Sequence, residues 1–274
     1  MANDAPSTDA YTPAQVTEKV LGLAASKTAL TWQRQLPLTA LAGAYIGIAA
    51  LFSSLVSGES AFPYAAQKLA AGAVFSVGLL LVVVAGAELF TGNAMIAAGA
   101  ADGRISWRAA VGNWVRVWLG NLLGALVLVA LVYFSHIADG GNVGRGLLST
   151  AAAKVLAGWG AIFFKGILCN LLVCLGVWMS YAARGVADKM AAVFLPVTAF
   201  VALGFEHCVA NMFFLPMAYL VKLSGFAPEG INTAAITIGA ILKNLSAATL
   251  GNLVAGAALA LLYRAAYAAK RSER

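Results

Sequence analysis

Six long apolar stretches, separated by short polar or basic segments, set the plan of this 274-residue chain. They run from about Leu36 to Val56, Leu69 to Ala98, Trp114 to Phe134, Val155 to Ala182, Met190 to Val221 and Leu245 to Tyr267. Apolar runs of about twenty residues, coiled as helices, match the thickness of a bilayer core. The pattern predicts an all-α membrane protein with six transmembrane helices over 36–267. A polar N-terminal segment over 1–35 precedes them and a basic tail over 268–274 follows. In the first segment, Thr12-Pro13-Ala14-Gln15 offers an N-cap, a proline at the first helical position and a capping-box glutamine. Val16, Val20 and Leu23 follow at helical spacing, so a short amphipathic helix is expected, on the membrane surface or against the bundle. Residues 1–11 are small and polar and hold no apolar core of a signal peptide.

Two of the six runs are interrupted alike. The second contains Gly86-Ala87-Glu88-Leu89-Phe90-Thr91-Gly92-Asn93 and the fifth Gly204-Phe205-Glu206-His207-Cys208-Val209-Ala210-Asn211. Both read Gly-x-Glu followed five residues later by Asn. A carboxylate at that depth is costly and marks a site by default. The repetition goes further, since Leu119-Gly120-Asn121-Leu122 in the third run matches Leu250-Gly251-Asn252-Leu253 in the sixth. Spans one to three, about 36–136, thus repeat as spans four to six, about 151–267. Three spans per half is an odd number, so the second half inserts upside down. That is the 3+3 inverted-repeat plan of transport proteins, with the second and fifth helices broken near the midplane.

Composition sharpens this picture. With 61% hydrophobic and 11% charged residues, the chain falls far below the roughly 25% charge of soluble domains. Mean hydropathy is +0.84. A net charge of +7 could suggest nucleic acid, but the basic residues lie at the ends of apolar runs and no nucleic-acid motif is present. Sorted by loop, twelve Lys/Arg fall on one side and five on the other, with Lys165 inside a span. By the positive-inside rule both termini face the cytoplasm, so a multi-pass membrane protein is expected. Cys169, Cys174 and Cys208 all lie within apolar runs and only two histidines exist. No disulfide, metal site or cofactor is expected, and without a nucleophile–base pair or HExxH no enzyme is.

Four ordered stretches carry a family resemblance. Glu88-Leu89-Phe90-Thr91, Lys165-Gly166-Ile167-Leu168-Cys169-Asn170-Leu171-Leu172-Val173-Cys174, Gly204 through Met212, and Gly251-Asn252 resemble the formate/nitrite transporter family. The resemblance covers nearly the whole chain from about Leu36 to Tyr267. It implies an aquaporin-like six-span protomer, a homopentamer in the lipid bilayer, one pore per protomer, and passage of small monovalent anions such as formate, nitrite and acetate. It puts His207 at the pore centre with Thr91 in reach. Leu89, Phe90 and Phe75 would form a cytoplasmic-side constriction and Phe200 part of a periplasmic one. Asn170 and Asn252 would be polar pore-side partners, and Lys154 and Lys165 basic residues on the periplasmic approach.

Physical chemistry supplies a reason for such a set. A bare carboxylate loses several kcal/mol or more of hydration in an apolar constriction. Positive charge at the mouth concentrates the anion. An imidazole, whose ordinary pKa of about 6.5 lies near working pH, can supply a proton or a hydrogen bond. Each residue also has a plainer reading. His207 could be a hydrogen-bonded core residue, Lys154 an interfacial anchor, and Phe75, Phe90 and Phe200 packing aromatics. Glu88 and Glu206, with Asn93 and Asn211, are read as structural at the helix breaks, because a carboxylate there can accept freed backbone N–H groups and would repel an anion if bare. The glycines within the spans are read as points of close helix packing. Formate is favoured as solute, with nitrite second and hydrosulfide third. An aquaporin-type channel for neutral solutes shares the architecture, but its Asn-Pro-Ala signatures are absent at Asn93-Ala94-Met95 and Asn211-Met212-Phe213.

Overall fold

The computed structural model describes residues 9–268; residues 1–8 and the basic tail, apart from Ala268, lie outside the described residues. The capping box forms as read. Thr12 Oγ1 accepts the Gln15 N–H at 3.4 Å and Gln15 Oε1 accepts the Thr12 N–H at 2.9 Å, opening α1 (Pro13–Ala29). Its Val16, Val20 and Leu21 are buried in the main core. The helix therefore rests against the bundle, where its apolar stripe meets protein.

All elements among the described residues are helical. Five helices are long and apolar enough to cross a membrane: α2 (Trp32–Ser57), α3 (Tyr64–Ala85), α6 (Trp107–Phe134), α8 (Trp159–Ala182) and α11 (Ile238–Tyr267). After α3 the chain breaks at 86–89, then resumes as α4 (Phe90–Asn93), a 3-10 turn and α5 (Ala97–Ala101). The fifth apolar run is α9 (Val186–Ala202), a break at 203–207, and α10 (Cys208–Leu223). Each break holds a glycine in the left-handed region within its first two residues, Gly86 at φ 83° and Gly204 at φ 68°. A side chain is strained there, so the glycine releases the helix without that penalty. Outside the breaks, helices meet at small residues. A Cβ on Gly124 would overlap the Ala40 carbonyl, and one on Gly251 the Phe163 carbonyl.

One segment departs from expectation. The chain between the third and fourth runs, which has no apolar run of its own, forms α7 (Gly141–Leu156), and the fourth spanning helix starts at Trp159 rather than Val155. Leu147, Leu148, Ala151 and Val155 of α7 are buried on one face. Their spacing is helical, but Gly144, Arg145 and Gly146 keep the segment too polar to stand out by hydropathy. Contacts make α7 the counterpart of α1: α1 packs on the helical stretch after the first break, and α7 on α10 after the second.

Away from the breaks, a charged cluster ties α1 to the turn after α5 and to the end of α11. Arg104 makes a two-pronged bond to Glu18, and Asp102 accepts from Arg104 Nε at 2.9 Å and from Arg264 Nε at 3.1 Å. Burial pushes the Asp102 carboxyl up, but the hydrogen bonds and charges of Arg104 and Arg264 outweigh it and hold the group below its ordinary value. A lowered folded value means stability present above the ordinary carboxylate range and lost as pH falls through the lowered one. Thermal melting of the detergent-solubilised protein should therefore drop on acidification, and Asp102→Asn should flatten the low-pH limb. An unchanged limb would contradict the assignment.

Candidate functional site

The two breaks are built from the same parts, drawn each time from four helices. At the first, the Glu88 N–H donates to the Leu38 carbonyl at 3.2 Å and the Phe90 N–H to Asn121 Oδ1 at 2.9 Å. Asn121 Nδ2 donates in turn to the Thr39 and Glu88 carbonyls. At the second, the Glu206 N–H donates to the Lys165 carbonyl at 3.4 Å and the Cys208 N–H to Asn252 Oδ1 at 2.8 Å, while Asn252 Nδ2 donates to the Gly166 and Glu206 carbonyls. Backbone groups freed by each break are thus satisfied by an asparagine from α6 or α11.

The carboxylates do something else. Glu88 accepts from Lys27 Nζ at 2.5 Å and Asn93 Nδ2 at 2.7 Å, and Asn93 also donates to Asn113. Glu206 accepts from Lys154 Nζ at 2.9 Å and Asn211 Nδ2 at 2.7 Å, and Asn211 also donates to Asn244. The expectation that these glutamates hold backbone N–H groups is corrected: their partners are side chains, a lysine that neutralises the charge and an asparagine that donates a hydrogen bond. Lys27, Asn113 and Asn244 had not been singled out in the sequence. Their link is a two-fold resemblance between α1 and α7 that hydropathy does not reveal.

Glu206 is 1% exposed at its side chain and Lys154 13%. Removing one partner of such a buried pair strands the other charge, at a cost of about 3–5 kcal/mol. Lys154→Met should accordingly lower the melting temperature sharply, while the double change Lys154→Met with Glu206→Gln should recover most of the loss. A single variant as stable as the unchanged protein would show that Glu206 needs no cation.

Three cavities run in series past these breaks. The first, of about 280 Å³, is a vestibule bordered by Lys68, Lys154, Lys165, Glu206, Ser149 and Thr150 that narrows at Phe75, Phe200 and His207. The second, of about 10 Å³, is a small chamber among Phe75, Phe200, Leu79, Leu89, Val173 and His207. That leaves room for one water-sized occupant. The third, of about 420 Å³, opens beyond Leu79 and Leu89 and is bordered by Lys19, Lys27, Lys189, Glu88 and Tyr181. Shared lining residues join them: Phe75, Phe200 and His207 separate the first two, and Leu79 and Leu89 the last two.

His207 stands at the chamber as the N-cap of α10. Its Nδ1 accepts the Ala210 N–H at 3.0 Å, and its Nε2 lies 3.1 Å from Thr91 Oγ1. An accepting Nδ1 assigns the neutral ring's proton to Nε2, which donates to Thr91. Phe200 stacks on the imidazole with centroids 5.8 Å apart, and Phe75 meets Phe200 edge-on at 5.7 Å. Phe75 is therefore beside Phe200, and Leu79, which the sequence did not distinguish from other buried leucines, stands with Leu89. Phe90 is buried but borders none of the three cavities. Asn170 and Asn252 are also absent from the linings. Asn170 Nδ2 donates to the Thr91 and Asn252 carbonyls, so both asparagines stand behind the site. All three cysteines are free and buried.

Comparison with known proteins agrees with the motifs. A family model described as formate/nitrite transporter matches residues 14–266. The formate channel FocA of Escherichia coli K12 is 40% identical over 234 residues, covering 81% of this chain and 82% of that protein. The nitrite transporter NirC of Salmonella typhimurium is 39% identical over 239 residues, covering 86% and 83%. Among solved structures, a pentameric formate channel with formate bound superposes with a TM-score of 0.76 at 37% identity, covering 86% of this chain and 96% of that one.

Proposed function

This chain belongs to the formate/nitrite transporter family, and on that premise we propose that it passes small monovalent anions, formate first among them, through one pore per protomer of a homopentamer. It is a multi-pass membrane protein. In this reading the channel domain over 36–267 crosses six times, as two inverted halves, in the inner (plasma) membrane of a bacterium, with both termini in the cytoplasm. The recurrence of each break's hydrogen bonds in the other half supports the inversion. The similarity to a pentameric formate channel supports the assembly and the solute.

One observation carries the reading: two lysine-bordered vestibules are joined through a chamber bordered by His207, whose Nε2 lies 3.1 Å from the hydroxyl of Thr91, a fully buried residue that borders none of the three cavities. Lysines concentrate the anion, with Lys68 and Lys165 on the periplasmic approach and Lys189 on the cytoplasmic one, while Lys154 and Lys27 on the same approaches are paired with Glu206 and Glu88. Phe75 with Phe200, and Leu79 with Leu89, form the two dry rings. The His207 Nε2–H and the N-terminal end of α10 offer an anion the polar contact that the rings lack. Proton transfer asks more, because the ring must first be protonated at Nδ1 and so lose the Ala210 bond. A carboxylate arriving beside His207 at the inner end of the first vestibule supplies the negative charge that offsets this loss. It then takes the Nε2 proton and crosses the Leu79–Leu89 ring as the neutral acid.

Nitrite is the second reading, favoured by an identity to NirC nearly equal to that with FocA. Flux of formate, acetate, nitrite and hydrosulfide into proteoliposomes, compared side by side at pH 5 and 7, ranks the solutes. Swelling in glycerol serves as the control. Rapid glycerol permeation without formate flux would overturn the assignment in favour of a neutral-solute channel.

A further inference from the structure

Within the repeated frame, Leu89 stands where the other half has His207, and a second unrepeated position near the pore carries charge. The Leu38 carbonyl takes the Glu88 amide and the Lys165 carbonyl takes the Glu206 amide. Leu38 and Lys165 are therefore counterparts. Lys165 borders the vestibule that ends at Phe200 and His207, whereas Leu38 borders neither vestibule. In that vestibule the charge of Lys154 is engaged by Glu206 at 2.9 Å. Lys165 has no side-chain hydrogen bond or ion pair among the described residues, and its backbone is bonded to the residue preceding His207. The opposite vestibule lacks an equivalent. Its Lys27 is paired with Glu88, and Lys19 donates to the Tyr181 carbonyl and lies over the Tyr11 and Tyr181 rings. Its Lys189 stands eight residues before Val197, the nearest chamber residue along α9, about 12 Å away at 1.5 Å per residue.

We propose that Lys165 gives the pore two unequal faces: its ammonium captures a monovalent anion beside the Phe75–Phe200 ring, so the pore saturates at lower concentration from that side than from the other. The inference rests on the anion-passage reading above and deepens it. Passive flux obeys detailed balance, so permeability at low concentration is equal in both directions. The half-saturation concentration is under no such constraint, because it reports how long an anion stays on the near side of the narrowest ring. A deep, uncompensated charge in a half-desolvated cavity lengthens that stay more than a rim charge screened by salt.

The test uses the full-length protein in planar bilayers, with formate added to one compartment at a time and sidedness read from trypsin access to a C-terminal tag. The expected half-saturation concentration is at least about threefold lower from the Lys165 side at low ionic strength, converging toward the other side at high salt. Lys165→Leu, which installs the counterpart residue, should bring the two values together. It should also lower the low-concentration permeability equally in both directions. In Lys165→Cys, 2-aminoethyl methanethiosulfonate, which adds an ammonium through a disulfide bond, should restore the difference, and neutral methyl methanethiosulfonate should not. The unchanged protein, whose cysteines are buried, is the control for the reagent. Equal half-saturation from both sides in the unchanged protein, or a ratio indifferent to Lys165→Leu and to the reagents, overturns this proposal alone. An unchanged protein that passes no formate or nitrite at all instead overturns the reading on which it rests.

Discussion

An Asn252→Leu protein is expected to be lost to degradation rather than to reach the membrane as an impaired channel. The amide accepts from Cys208 N–H at 2.8 Å and donates to the Glu206 and Gly166 carbonyls, each also at 2.8 Å. Leucine has nearly the same size and none of these bonds. Buried polar groups left without partners cost about 1–3 kcal/mol each, so the loss of three bonds removes roughly 3–9 kcal/mol. That is a large share of the roughly 5–15 kcal/mol that holds a folded protein together. The repeat makes the prediction sharper, because Asn121 performs the same task for Phe90, Thr39 and Glu88. Asn121→Leu should be as damaging, although Asn121 lies in the other half of the chain. Expression level and melting temperature in detergent provide the measurement. A leucine variant at either position that melts within a few degrees of the unchanged protein would show that the break does not depend on its asparagine.

For His207 the informative replacement is asparagine. His207 performs two tasks, capping α10 through Nδ1 and presenting Nε2–H to Thr91 at the chamber. Asparagine is among the best N-cap residues, so its side-chain oxygen can take over the Ala210 N–H, whereas alanine would give up about 1 kcal/mol of capping. His207→Asn therefore keeps the fold and removes the only titratable ring at the chamber. Formate uptake at acid pH should fall by about tenfold or more, in line with the loss of a positioned proton donor. The residual flux should no longer acidify the lumen or change between pH 5 and 7. A variant that still carries a proton with each formate, with the pH profile intact, would rule out the histidine as the relay. Thr91→Val is the companion variant: it removes the hydroxyl facing Nε2 and leaves the ring in place, so it should lower flux while retaining the pH profile.

The two variants divide the structure into what holds the breaks open and what acts inside them. Residues that build the breaks are behind the cavity walls. Asn121, Asn252 and Asn170 are fully buried and absent from the cavity linings, and their partners are backbone atoms. Residues at the chamber make few polar contacts, and these lie between the ends of two interrupted helices. A pore that must strip an anion of water benefits from this separation. Polar groups committed to the backbone stay put, and the few that face the passage remain available to a solute.

Chain chemistry by itself determined the elements whose causes are local. Lengths of apolar runs gave the long helices, Gly86 and Gly204 with the following glutamates gave the breaks, and Thr12 and Gln15 gave the start of α1. The recurrence of Gly-x-Glu and Leu-Gly-Asn-Leu also disclosed the two halves, because identical chemistry was needed twice. Tertiary structure decided what depends on distant partners. Only in three dimensions does Lys27 meet Glu88, sixty-one positions along the chain, or Phe75 meet the Phe200 ring edge-on. The role of α7 as the partner of α1 belongs here too. Hydropathy reports that a side chain leaves water, and it gives the same signal whether the side chain then faces a neighbouring helix or a narrow passage. That distinction is made by packing, which sets the two broken helices end against end and leaves Leu79, but not Phe90, at the gap between them.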